Sequence, residues 1–143
     1  LRRRQRQMCI RDRFSAGPHS DEEKILNLRK VYNEAFSELD VDLVLSGHDH
    51  LYARTYLMKG MKSTGNASGL KKQGETLYLS GTSSTGSKFY EKESGKKGYI
   101  AFYDGETEKT PLISAITIQG KTLTIKTVRT TDMSVFDEIT IRK

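Results

Sequence analysis

The chain has 143 residues, of which 35% are hydrophobic, and a formal net charge of +6. That length and apolar content fit one domain with one core and leave no room for a second full domain. The positive balance points to nucleic acid only if it lies on the folded body, and it does not: residues 1–13, LRRRQRQMCIRDR, hold six arginines and one aspartate, which leaves +1 on the other 130 residues.

The leader at 1–13 has no helical stripe, no strand alternation and almost nothing to bury, so it is expected to be disordered. No apolar stretch follows its arginines, which excludes a secretion signal of the usual form. The string QMCIRDR resembles the translation of sequencing-adapter DNA, which makes the leader foreign to the protein. The rival reading is a basic arm that sets Arg2, Arg3, Arg4 and Arg6 on phosphates, with steep salt dependence. Cys9, the only cysteine, allows no intrachain disulfide and decides little about compartment. No apolar run approaches the roughly 20 residues of a spanning helix, so no membrane partner is expected.

From His19 the pattern changes. Ser20 stands three residues before Glu23 as a capping box, with Asp21 and Glu22 in the first turn. Ile25, Leu28, Tyr32, Ala35, Phe36 and Leu39 recur at steps of three and four, which predicts an amphipathic helix ending near Glu38. VDLVLS at 41–46 reads as a strand covered on both faces. YARTYLMKG predicts a short strand, and residues 60–74, rich in Gly, Ser and Lys, an exposed loop. TLYLSG at 76–81 is a strand, GTSSTGSK a flexible connection whose Lys88 could meet an anion, and GYIAFYDG at 98–105 a further strand. LISAITIQGKTLTIKTVRT alternates on both sides of Gln119 and Gly120, a hairpin, and SVFDEITIRK supplies the last strand. Tyr78, Phe89, Tyr90, Tyr99, Phe102 and Tyr103 are expected to pack the sheets. The layout is mixed α/β, one helix in front and mostly β-strands behind.

Chemistry concentrates in Ser46, Gly47, His48, Asp49 and His50, directly after a buried strand, where open α/β sheets collect their ligands. Gly47 is expected to take the bend, so that His48 and His50 point one way and Asp49 another. Paired imidazoles suit zinc, iron or manganese, on one ion or on two about 3.5 to 4 Å apart. Spacing alone leaves that choice open, and it also leaves open a non-catalytic role as polar loop residues capping backbone groups.

GHDH followed by LYAR resembles the G-H-x-H motif of the calcineurin-like metallophosphoesterases, in particular their purple-acid-phosphatase-like branch. FSAGPHS before a helix, VDLVLSGHDH, ETLYLSGTSSTGSKFY and strands ending in FDEITI follow the order of the C-terminal half of that four-layer sandwich, across residues 14–143. The resemblance implies hydrolysis of phosphoric esters at a two-metal centre, iron with zinc, manganese or iron, with His48 and His50 each on one ion. It implies that His19 lies near the substrate phosphate as a proton donor, although His19 is also simply the residue before the Ser20 cap. Tyr52 and Arg54 match the motif too, but packing of Tyr52 and a local salt bridge of Arg54 are the expected roles. Asp49 occupies the motif's variable position and inherits nothing.

The resemblance favours a secreted or periplasmic protein acting on a phosphate ester, with no specific nucleic-acid partner. The family draws its centre from five segments, and four of them, an early Asp motif, a GD, a GN-H and an H-x-P segment, precede G-H-x-H. None is present here, and the H-x-P histidine belongs shortly before Phe14, where the leader stands. This chain is accordingly expected to be the C-terminal portion of a longer enzyme, a weak metal binder on its own, with sheet edges and an apolar face left open. The rival functions are a β-rich binding module and nucleic-acid binding through the leader.

Overall fold

A computed structural model describes residues 14, 16, 22–47, 50–90, 97–103 and 109–143. The first element, α1, spans Glu23–Glu38. Glu22 is its N-cap, with no side-chain cap bond, so Glu23 opens the helix instead of closing a capping box on Ser20, which lies outside the described residues. Leu39 N–H donates to the Ala35 carbonyl, and Asp40, at φ 51°, turns the chain into the sheet. A short polar side chain tolerates that left-handed geometry better than a branched one.

The buried row of α1 differs from the predicted one. Ile25, Arg29 and Asn33 are buried, four residues apart, while Leu28 and Leu39 are 37% and 74% exposed. The reason is the surface underneath, which is aromatic. The Arg29 guanidinium lies 5.0 Å above the Phe14 ring and 5.4 Å from that of Tyr99, and it donates to the Tyr99 hydroxyl at 3.5 Å. A planar cation on an aliphatic stem covers such a surface well, with the charge held on the ring faces.

Among the described residues ten strands follow: β1 Leu43–Ser46, β2 Ala53–Thr55, β3 Met58–Lys59, β4 Lys62–Ser63, β5 Gly69–Leu70, β6 Leu77–Ser80, β7 Ile100–Tyr103, β8 Leu112–Gln119, β9 Thr122–Arg129 and β10 Val135–Arg142. They form one sheet in the order β1-β6-β2-β7, a second in the order β5-β10-β9-β8, and the small β3-β4 ribbon. The predicted hairpin at Gln119 and Gly120 is the β8-β9 turn, with Gly120 at φ 57°. Residues 60–74, predicted as a loop, instead supply β4 and β5, because β5 pairs in parallel with the end of β10.

Period-two alternation builds the layers. Leu77 and Leu79 meet Leu112, Ile125, Ile139 and Ile141 of the second sheet. Tyr78 and Val44 point the other way, to Phe14, Met58 and Phe36 of α1. Helix, sheet and sheet therefore stack in that order. β1 ends its sheet, so Leu45 is 51% exposed and the strand is not covered on both faces as expected. β8 ends the other sheet, with Ile113, Ile116 and Ile118 exposed.

Two polar clusters tie these layers together. Arg54 Nε and Nη2 donate to the two Asp137 oxygens at 2.7 and 3.0 Å, and Tyr52 Oη donates to Asp137 at 2.9 Å. The Arg54 bridge is thus not local, since its partner stands 83 residues away in the second sheet. Tyr52 is buried at the same junction, as expected.

The second cluster joins Lys71, whose side chain is buried, to Asp40 at 2.6 Å and Asp42 at 3.0 Å, with Lys143 reaching Asp40 at 2.8 Å. Lys143, then Lys71 and the Gly74 N–H, hold the Asp40 carboxyl well below the usual carboxylate range. Because the folded value is depressed, this contribution is complete above the ordinary value of 3.8 and disappears as pH falls through the folded value. Urea unfolding across pH 2 to 6 should show stability falling from about pH 4 downward. In Asp40→Asn the slope should be shallower, from a lower plateau, and an unchanged slope would assign the acid loss to other carboxylates.

Candidate active site at the ends of β1 and β6

β1 and β6 run parallel in register, Leu43 beside Leu77 and Ser46 beside Ser80. Gly81 N–H donates to the Ser46 carbonyl at 3.0 Å, so the two chains leave the sheet side by side. Their C-terminal ends bring Gly47, His50 and residues 81–90 to one edge, which is where open sheets place ligand chemistry.

The bend expected at Gly47 leads into residues 48 and 49, outside the described residues, and a left-handed backbone is found at His50, at φ 42°. Histidine is among the few non-glycine residues enriched there, and a backbone held in a sparse region costs of order 1–3 kcal/mol. The fold holds it from the neighbouring loop: the His50 carbonyl accepts from Thr82 Oγ1 at 3.0 Å and from Tyr90 N–H at 3.4 Å. The half-buried His50 imidazole meets the Tyr90 ring edge to face, centroids 5.3 Å apart.

The connection after β6 is more ordered than its Gly and Ser content predicts. Ser83 Oγ accepts from Ser87 N–H at 3.2 Å. Gly86 is at φ 76°, where a Cβ would stand 2.9 Å from Pro111 Cγ, so glycine is required for both shape and space. Tyr90, expected to pack a sheet, packs on His50 instead, and Lys88 Nζ sits 4.7 Å from the Tyr90 ring centre. Nothing local marks this, because it follows from pairing residues 43–46 with 77–80.

Of the residues predicted to act, His50 is at this edge, while His19 and His48 lie outside the described residues, as does Asp49, to which no role was assigned. Among the described residues no three His, Cys, Asp or Glu side chains gather to hold an ion. His50 is a competent imidazole donor, but a two-metal centre needs about four ligands per ion, and the described residues alone do not assemble one. Tyr52 and Arg54, which follow His50 along the chain, are committed to Asp137 and unavailable as ligands.

No family model matches the sequence, and no curated protein sequence matches it significantly. Among solved structures, the chain is similar to a purple acid phosphatase isolated from yellow lupin (Lupinus luteus) seeds, with a TM-score of 0.64 over 87% of this chain at 18% identity. The fold is that of a purple-acid-phosphatase-like metallophosphoesterase. The chain spans 20% of that phosphatase's length. The expected sequence of elements, a helix, the strand before GHDH, the TLYLSG strand and a β-rich tail, is the observed one. Within this metallophosphoesterase fold, His50 stands where a strand of the parallel pair ends.

Proposed function

We propose that this chain is the C-terminal part of a metal-dependent phosphoester hydrolase, in which His48 and His50 contribute imidazole ligands to a two-metal centre. One observation carries the reading: in a phosphatase-like fold, His50 is kept at a positive φ at the end of β1 by two hydrogen bonds from the loop after β6. Local strain that neighbouring elements hold in place is characteristic of working sites. When bound, ions of this kind acidify water and neutralise charge on the phosphoryl oxygens.

The chain's own contribution is to fix the imidazoles. Thr82 and the Tyr90 backbone anchor the main chain of His50, and the Tyr90 ring limits rotation of its side chain. Neutral imidazole also leaves the ions' charge uncancelled, which favours attraction of an anionic ester. His19 is proposed as the proton donor to the leaving group, and a secreted or periplasmic setting, with iron paired with zinc, manganese or iron, goes with the same reading.

Isothermal titration of the full chain with zinc tests it. His48→Ala and His50→Ala should each weaken uptake by more than the roughly 10- to 100-fold seen when an outer-sphere partner of a metal ligand is lost. Circular dichroism should be unchanged in both. Equal zinc uptake by all three proteins would return the histidines to loop decoration and the chain to a non-catalytic binding module.

A further inference from the structure

We infer that the cavity between the β8-β9 turn and the end of β10 binds a small monocarboxylate with an apolar body of about six carbons, an acid of the benzoate type. The cavity lies at the opposite end of β1 from His50, since Asp42 in its wall precedes that strand and His50 follows it. It is independent of the metal reading. Strand register sets its floor: Ile118 of β8 stands beside Leu123 of β9, and Leu123 beside Ile141 of β10, so three aliphatic side chains form one row. Ile141 is buried in the core between the sheets, whereas Ile118 is 69% exposed, because β1 ends the facing sheet. The row therefore runs from core to solvent and floors a cavity of about 140 Å³. An apolar cavity of about 150 Å³ accepts a benzene ring.

The walls are charged. Lys71, Lys121, Arg142 and Lys143 line the cavity with Asp42, and Asp40 pairs with Lys71 and Lys143, so four cations face two carboxylates. The balance is positive. The Lys71 side chain is 1% exposed, and of the three donors of its ammonium Asp40 and Asp42 engage two, at 2.6 and 3.0 Å. One donor is left for a ligand. That donor is already out of water, so a charge-assisted hydrogen bond to it is stronger than one made at the surface. Because Asp42 shares the wall, a single negative charge suits the cavity better than the two of a phosphate monoester.

Titration of the full chain with benzoate, benzyl alcohol, acetate and phenyl phosphate, read from the amide NMR shifts of Gly120, Leu123 and Ile141, tests this. Benzoate should bind about tenfold more tightly than benzyl alcohol or acetate, and no less tightly than phenyl phosphate. Ile118→Glu, at an exposed position, should abolish benzoate binding with circular dichroism unchanged, and Ile118→Gln should keep most of it. Lys71→Met should also weaken binding; if that variant unfolds, the two Ile118 variants still decide. His50→Ala should bind benzoate as wild type does, whatever its effect on zinc. Acetate binding as tightly as benzoate would reduce the site to surface charge, and benzyl alcohol doing so would show that the cations take no part. Benzoate binding that survives Ile118→Glu would place it elsewhere, and tighter binding of phenyl phosphate would exclude a monocarboxylate site. Each of these results overturns the inference and leaves the metal reading untouched.

Discussion

Asp137→Ala is expected to destabilise the protein by about 3–5 kcal/mol, measured by urea unfolding at neutral pH. Asp137 receives three hydrogen bonds across the junction of the two sheets, two from Arg54 and one from Tyr52. Tyr52 in turn accepts from Thr127 at 3.2 Å, and Thr127 lies 2.8 Å from Ser114, so β2, β10, β9 and β8 share one buried network. Burial pushes the Tyr52 phenol above its usual range, which keeps it a neutral donor to the carboxylate. Removing the carboxylate strands a guanidinium that is 8% exposed and leaves the phenol without its acceptor. An unpaired buried charge of this kind is the costly state, whereas removing both members is cheaper. The double variant Arg54→Leu, Asp137→Leu should therefore lose less than Asp137→Ala alone. A loss below about 1 kcal/mol in Asp137→Ala would mean that water reaches Arg54 and solvates it.

The network also explains which parts of the fold were legible in the sequence. Arg54 lies on the short strand β2 and Tyr52 just before it, both reaching Asp137, and nothing nearby in the chain says that they meet residue 137. Alternation revealed the β8-β9 hairpin and β10 because their signal is local: apolar residues at every second position and a tight turn at Gly120 and Lys121. The three-to-four spacing likewise located α1 to its last residue, but not its inward face. Arg29 and Asn33 are polar by type, and only the aromatic floor of Phe14 and Tyr99 makes Arg29 a good buried neighbour. β5, two residues paired in parallel with β10, has no periodicity to read at all. The candidate site divides the same way. A strand ending in histidines can be seen in residues 41–50, whereas the role of Tyr90 depends on β1 lying beside β6, and the left-handed backbone of His50 is held by Thr82 and Tyr90, far along the chain.

Phe14→Ala is expected to cost about 3–5 kcal/mol, as large a loss as any single core truncation in the chain. Phe14 is 2% exposed, with its ring edge to face against Tyr78 at 4.7 Å and Tyr99 at 4.9 Å, and with Arg29 above it. Truncation would open a cavity between α1 and the first sheet and would leave the Arg29 guanidinium over one ring where it now has two. Deleting residues 1–13 should by contrast change stability by no more than about 0.5 kcal/mol, because that stretch offers almost no apolar surface to bury. Urea unfolding of the two variants side by side sets the start of the folded body at Phe14. If the deletion costs as much as Phe14→Ala, the arginine-rich stretch packs on the body and cannot be foreign to it. If the deletion instead abolishes a salt-sensitive DNA affinity at unchanged stability, those arginines act as a phosphate-binding arm.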